Sequence, residues 1–285
     1  MNSLIHADCL SIEGMQSIDD KSIDMILADL PYGTTACKWD VIIPFDALWT
    51  AYKRIIKDNG AIVLTASQPF TSQLVMSNPK MFKYTWVWNK IGAGNFMNIK
   101  NRPLKTHEDI IIFAKTANFT FNPIRVLRAE SSLKRDPIGH KRPPICPKTK
   151  PEHIGDSTNW GNVDYTFSIN GMKHPIDILK FSRREKNCYK IKHPTKKPVA
   201  LFEYLIKTYT NEGDLVLDNA AGSMTTAIAC INLKRRYICI EKDKDIFDKG
   251  KARVTERLNQ LELNLTTPQP SPASETPEPE RNDDE

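Results

Sequence analysis

The 285-residue chain has no Cys-x-x-Cys pair; its six cysteines stand apart at 9, 37, 146, 188, 230 and 239. That spacing argues against a zinc ribbon and against a disulfide framework, and it fits reduced thiols in a cytosolic protein. No stretch approaches about 18 apolar residues, the length a membrane-spanning helix needs. The opening segment MNSLIHADCL carries an acid and no apolar run of signal-peptide length, so no leader and a cytoplasmic location are expected. Gly-x-Gly-x-x-Gly is absent, and His107-Glu108 lacks the second histidine of a His-Glu-x-x-His zinc helix. Neither a metal site nor an internal repeat is expected.

Charge is plentiful but uneven. The net charge is +6, yet Asn264 to Glu285 holds one base, Arg281, and six acids, so residues 1–263 carry +11. Between Pro123 and Pro198 there are 17 Lys/Arg against 7 Asp/Glu. Nearly all the excess positive charge therefore lies in the middle of the chain. Such a block suits a polyphosphate partner, although a solvated basic face without a ligand accounts for the same counts.

Strand-like and helix-like runs alternate over the first 120 residues. Residues 3–6 and 23–28 read as strands. Over 45–56, Phe45, Leu48, Trp49, Tyr52 and Ile55 keep helical spacing, and Asp58-Asn59-Gly60 supplies turn chemistry after it. Strands at 61–66, 82–88 and 109–114 and a helix at 68–76 follow. From Pro123 to about Cys188 the pattern breaks into Pro-, Lys- and Arg-rich sequence of a length that is functional or disordered. Regular spacing resumes with a helix at 197–210 opened by Pro198. A strand at 215–217, a helix at 225–233, a strand at 237–240 and a helix at 246–263 complete the series. The alternation predicts an α/β fold, a mostly parallel sheet with helices on both faces. Residues 264–285 lack apolar periodicity and predict a disordered acidic tail.

Two strand tips carry chemistry. The run Ile23 to Ala28 ends in Asp29-Leu30-Pro31-Tyr32-Gly33, an acid, a turn proline and an aromatic ring. Such a tip can accept hydrogen bonds from an amino group and stack on a flat base. Two acceptors aimed at an exocyclic amine, the Asp29 carboxylate and the Leu30 carbonyl, can push its delocalised nitrogen toward tetrahedral geometry. Tyr32 offers a stacking face, and a base in a duplex must first be flipped out. A strand, a turn and an exposed tyrosine with no such role explain the same four residues. The second tip is Leu215-Val216-Leu217-Asp218-Asn219-Ala220-Ala221-Gly222-Ser223-Met224-Thr225-Thr226. Gly222 lets backbone approach a ligand closely, and Glu241 at the next strand's end can accept hydrogen bonds from ribose hydroxyls.

Taken together, the chain resembles the DNA amino-methyltransferases, on roughly residues 1–125 and 190–245. Asp29-Leu30-Pro31-Tyr32 is similar to that family's Asp-Pro-Pro-Tyr motif, with Leu30 in the second place. Asp218 to Thr226 is similar to its Asp-Pro-Phe-x-Gly-Ser-Gly-Thr-Thr loop. There Asn219 and Ala220 replace Pro-Phe, and Met224 replaces the second glycine. His193-Pro194-Thr195-Lys196-Lys197-Pro198 resembles the segment beside the methionine end of the cofactor. Trp86-Val87-Trp88-Asn89-Lys90, with Asn98, Arg102, His107 and Glu108, resembles the lining of the base pocket. The base motif precedes the cofactor motif, which is the permuted order of the β group.

The resemblance implies a Rossmann-like methyltransferase sheet with circularly permuted motifs and a loop-rich insert. It implies S-adenosylmethionine as cofactor and double-stranded DNA as partner, with a homodimer left open. The catalytic residues would be Asp29, Leu30, Pro31 and Tyr32. The cofactor residues would be Asp8, Lys197, Asp218, Asn219, Ala220, Gly222, Ser223, Thr225 and Glu241. Residues 1–122 would form the catalytic half, 123–192 a target-recognition insert, 193–263 the cofactor half and 264–285 the tail. In the insert, Arg125, Arg128, Arg183 and Arg184 are candidate DNA contacts, with Asn159 and Asn170. Asp29 favours adenine over cytosine by family association. Cytosine carbon-5 methylation is disfavoured, because that chemistry needs a thiolate and no Pro-Cys occurs. Three alternatives stay open. The first is a cytosine-4-amino enzyme. The second is a nucleic-acid-binding protein that keeps the fold without the chemistry. The third is an RNA or protein methyltransferase.

Overall fold

The computed structural model describes residues 2–35, 37, 40–94, 99–128, 168–169, 172–182 and 197–266. Its centre is an eight-stranded sheet. The strands are β1 (Ser3–His6), β2 (Ile23–Ala28), β3 (Ile56–Ala66), β4 (Phe82–Gly94), β5 (Lys105–Ala114), β9 (Ile178–Lys180), β10 (Leu215–Asp218) and β11 (Arg236–Glu241). Three short strands, β6 (Val126–Leu127), β7 (Ser168–Ile169) and β8 (Met172–Lys173), form a separate antiparallel sheet. The order in the large sheet is β1-β11-β10-β2-β3-β5-β4-β9. Pairing is parallel from β1 through β3, antiparallel for β3–β5 and β5–β4, and parallel again for β4–β9. The expected mostly parallel α/β sheet is present, with an antiparallel hairpin, β4–β5, set into it.

The reason β2 reads as an unbroken apolar run is that both its faces are covered. From Met25 on, its residues alternate between two buried clusters. Met25 and Leu27 face one, and Ile26 and Ala28 face the other. The first cluster is closed by helices α3 (Val199–Tyr209), α4 (Thr225–Asn232) and α5 (Lys244–Thr266). The second is closed by α1 (Phe45–Ile55) and α2 (Phe70–Ser77). Helix α1 buries Leu48, Trp49, Tyr52 and Ile55, four of the five positions that its spacing picked out, with Phe45 partly buried; its ends suit the helix dipole, with Asp46 first and Lys53 and Arg54 last. Trp86 and Trp88 are core residues, and the Trp86 indole donates to the Tyr209 hydroxyl at 2.7 Å.

Several boundaries differ from expectation, each for a local reason. Asp58-Asn59-Gly60 does not end a helix. Helix α1 stops at Ile55, and the three residues lie within β3 as an irregularity, Ile23 pairing with Ile56 but Met25 with Ala61. Gly60 is required there by close approach: a Cβ would stand 2.8 Å from the Asp24 carbonyl oxygen. The hairpin strands β4 and β5 run past their expected ends because each pairs with the other as far as Gly94 and Lys105. The basic middle segment is not wholly irregular, since β9 joins the large sheet beside β4. Helix α5 runs from Lys244 to Thr266, into the first residues assigned to the tail; 267–285 lie outside the described residues.

Strand β10 lies next to β2, with Val216 level with Met25 and Leu217 with Ile26. Asp24 fastens the start of this pair, accepting the Leu215 amide at 2.9 Å and the Lys57 ammonium at 2.5 Å. The helix after β10 packs on one face and the helix after β2 on the other. The two strands therefore part at a topological switch point, where open α/β sheets bind ligands. Gly60→Ala is expected to destabilise the fold by about 1–3 kcal/mol through overpacking of the β3 irregularity, read from the urea midpoint at unchanged m-value.

Candidate active site

The carboxyl ends of β10 and β2 open into one cavity of about 780 Å³. Its walls include Asp29, Leu30, Pro31 and Tyr32 from one tip, and Asp218 to Ser223 with Thr225 from the other. Asp8, Glu241 and Lys197 also line it. Every expected catalytic and cofactor residue thus faces one cleft. Arg125 and Arg128 flank β6 and are not among its walls. Arg183, Arg184, Asn159, Asn170, His193 and Asn98 lie outside the described residues. Of the remaining base-pocket segment, Trp88 and Glu108 reach the cleft directly.

On the base side, Asp29 is held from three directions. Thr65, level with it at the end of β3, donates its hydroxyl to Oδ1. The Tyr32 hydroxyl lies 2.8 Å from the same oxygen and 3.0 Å from Thr65 Oγ1. Lys197 Nζ lies 2.7 Å from Oδ2 and 3.2 Å from Glu108 Oε2, and Lys90 pairs with Glu108 from the other side. Burial works against the charge on Glu108, but Lys197 and Lys90 outweigh it and hold its pKa below the usual carboxylate range. Burial likewise works against the Lys197 ammonium, and Asp29 and Glu108 overcome it, so its pKa rises. Both groups stay charged. Burial, then the nearby Asp29 and Glu108 charges, push the Tyr32 phenol far up, so it remains a donor. Its ring stacks on Phe70, centroids 5.1 Å apart. Among the described residues no hydrogen bond engages the Leu30 carbonyl.

Lys197 was expected beside the methyl donor; its ammonium lies 2.7 Å from the Asp29 carboxylate, within the cleft shared by both motif tips. Thr65 was missed altogether, because its role depends on β2–β3 register and not on any motif. Asp40 was missed as well. Its carboxylate accepts the amides of Gly33, Thr34 and Thr35 at 2.9, 2.9 and 2.7 Å, drawing the loop after Tyr32 into a wall of the cleft. Burial opposes the Asp40 charge, but the Thr35 hydroxyl and these amides hold its pKa low.

On the cofactor side, Asp218 accepts the Ala220 amide at 3.1 Å and the Thr226 hydroxyl at 2.5 Å. Glu241 accepts the Gly222 amide at 2.8 Å and the Asp243 amide at 2.8 Å. Asp8 accepts the Leu10 amide and pairs with Lys242 at 2.8 Å; these partners lower its pKa. Asn219 takes the Tyr52 hydroxyl at 2.5 Å, a buried bond that a proline there could not make. Gly222 has φ 49°, and a Cβ on it would meet only open space. Met224 occupies the left-handed region too, at φ 59°, ψ 35°, despite its side chain. That side chain is fully buried, and Gly250 on α5 makes room for it: a Cβ there would lie 2.6 Å from Met224 Cγ and 3.0 Å from the Gly222 carbonyl oxygen.

The fold and the cleft together define a methyltransferase-type α/β protein whose two motif-bearing strand tips meet at one switch point. The N6/N4 DNA methylase family matches residues 23–252, and the chain belongs to that family. It is 27% identical over 266 residues to the DNA adenine methyltransferase YhdJ of Escherichia coli K12, covering 88% of this chain and 82% of that protein. The M1.HpyAVI–SAM complex superposes with a TM-score of 0.56 at 25% identity, over 89% of this chain and all of that one. The cytosine-N4-specific PvuII methyltransferase shares the fold, with a TM-score of 0.59 at 16% identity over 92% of this chain and 93% of that one.

Burial raises the Asp218 pKa to about 7, the hydrogen bonds from Thr226 and Ala220 only partly offsetting it. A cationic ligand favours the ionised form, so affinity for S-adenosylmethionine should rise roughly tenfold from pH 6 to pH 8. Calorimetry at both values checks this, with Asp218→Asn expected to flatten the dependence. Without ligand the sign reverses. A raised carboxylate pKa means stability from this group is present at low pH and lost as pH climbs through about 7. Separately, Gly250→Ala should weaken S-adenosylhomocysteine binding about three- to tenfold by displacing Met224, and Met224→Ala added to it should restore much of the loss.

Proposed function

We propose that the protein transfers a methyl group from S-adenosylmethionine to the exocyclic amine of a flipped-out adenine in double-stranded DNA. The observation that carries this reading is the convergence of Asp29 and the Gly222 turn on one cavity. The adenine preference is supported by Asp29 at the head of the motif and by the adenine-specific relative. A cytosine amine is the second reading, favoured by the fold shared with a cytosine-N4-specific enzyme.

Asp8, Asp218 and Glu241 present carboxylates along the cofactor side, suited to amino and hydroxyl groups of a nucleoside bearing a methionine end. Gly222 leaves the open space that a backbone-close ligand needs, and Asn219, Ala220, Ser223 and Thr225 complete that wall. When bound, S-adenosylmethionine supplies an electrophilic methyl carbon on a sulfonium. The chain's own residues then act on the base. Asp29 and the Leu30 carbonyl accept the two amino hydrogens and turn the nitrogen lone pair toward the donor. Pro31 fixes the turn that aims that carbonyl, and Tyr32 carries the stacked base. Thr65 and Lys197 fix the carboxylate, so little reorganisation is needed when the base arrives. Residues 1–122 and 193–263 build this centre, and the basic segment 123–192, with Arg125, Arg128, Arg183 and Arg184, contacts phosphates and reads the target. A homodimer and a cytoplasmic modification enzyme, with or without a partner nuclease, fit the same reading. Among the described residues no helix is long and apolar enough to cross a membrane.

Asp29→Ala should lower kcat by at least about a hundredfold while DNA affinity stays within about threefold. Labelled methyl incorporation into mixed-sequence duplex DNA, followed by nucleoside digestion, measures the first and names the base; a gel-shift titration measures the second. Full methylation by the variant removes Asp29 from the mechanism.

A further inference from the structure

The ammonium of Lys197 has three N–H bonds, and among the described residues Asp29 and Glu108 account for two. The nitrogen lies over the Tyr32 ring, 5.6 Å from its centroid. Phe70 approaches that ring from the α2 layer, and Lys197 comes from the opposite layer, just ahead of α3. A base stacked on the Tyr32 ring from the lysine's side enters the space next to Nζ. There the ammonium can donate to an atom on the base's edge. The neighbouring group on this edge is Asp29, 2.7 Å away.

An acceptor and a donor therefore stand side by side. Adenine and cytosine present the complement, an amino donor beside a ring-nitrogen acceptor on the pairing edge. Guanine and thymine present a keto acceptor beside an N–H donor, which would set like against like at both positions. Resting on the amino-methyltransferase reading, we propose that Lys197 is a specificity-determining residue that donates to the ring nitrogen adjoining the target amine. Asp29 and Lys197 then read the base as a pair, and Glu108 with Lys90 behind it holds the lysine at the edge. Removing such a contact leaves a buried partner unsatisfied, which is why paired polar readers discriminate strongly.

The test is a cycle of enzyme and base variants. The methylated position is first mapped in mixed-sequence duplex DNA. Duplexes then carry at that position adenine, 1-deazaadenine, which lacks the ring nitrogen, or 7-deazaadenine, which keeps it; if the mapped base is cytosine, 3-deazacytosine replaces the first analogue. Wild type should lose about ten- to a hundredfold in kcat/KM on the analogue lacking the nitrogen. Lys197→Met should lose a comparable factor on the natural base and little more on that analogue, since the contact is already gone. Lys197→Gln, which keeps a donor, should fall between. Penalties that multiply independently overturn the proposal. If Lys197→Met fails to fold by circular dichroism, the same cycle run with Lys197→Gln decides: a smaller analogue penalty than in wild type supports the contact, and an equal one overturns it. Should wild type methylate no amino group at all in the mapping step, the failure belongs to the amino-methyltransferase reading instead, and the inference falls with it.

Discussion

The parallel pairing of β10 with β2 is the constraint on which the site depends. These strands are about 190 residues apart in the chain, yet Val216 lies level with Met25. Parallel neighbours end at the same edge, so the register that aligns their apolar residues also brings Asp29 and Asp218 out together. Asp24 reinforces the pair from the far end through the Leu215 amide. Because helices leave the two strands toward opposite faces, the gap between their tips cannot be filled by either connection. The cavity is a consequence of topology before any catalytic side chain is considered.

Within that gap the chain concentrates charge that packing alone would exclude. Asp29, Glu108, Lys90 and Lys197 form one cluster, and none of these side chains is more than 26% exposed. Desolvating an ion costs several kcal/mol, and apolar residues of similar size would stabilise a purely structural core at least as well. Retaining four ions there makes sense as preorganisation. The Asp29 carboxylate already has its orientation set by Thr65 and Lys197. The cofactor side shows the opposite tactic. Asp218 is buried with neutral donors only, and its pKa rises to about 7, leaving it responsive to a cationic ligand.

What was legible in the sequence follows the range of the interactions. Strand β2, helix α1 and the two motif tips depend on local periodicity and turn residues, and they stand where the residue pattern puts them. The β3 irregularity was misread because Asn-Gly after a helix usually signals a stop. Here the tight approach of Gly60 to Asp24 absorbs the signal inside a strand. Lys197 and Glu108 were picked out by resemblance, but the bridge that Lys197 makes from Glu108 to Asp29 was not, and Thr65 was not legible at all. Thr65 arrives through strand register, Lys197 from 168 positions away, and Glu108 from a strand whose direction is reversed. Asp40 is a polar loop residue like many others until three amides converge on it.

Met224 shows how a side chain is accommodated at a left-handed position in the loop after β10. A glycine at this place would need no compensation, since it enters the left-handed region freely. Methionine bears a conformational cost there, of order 1 kcal/mol or more, and its side chain must go somewhere. Burial in the cluster under α5 offsets that cost, but only because position 250 carries no Cβ. The loop's shape is thus held by two positions 26 residues apart, one supplying bulk and the other its absence. The backbone of Gly222 meets Glu241 and faces the cleft. A Cβ at 250 would stand 2.6 Å from Met224 Cγ, so bulk at 224 and its absence at 250 are one packing solution.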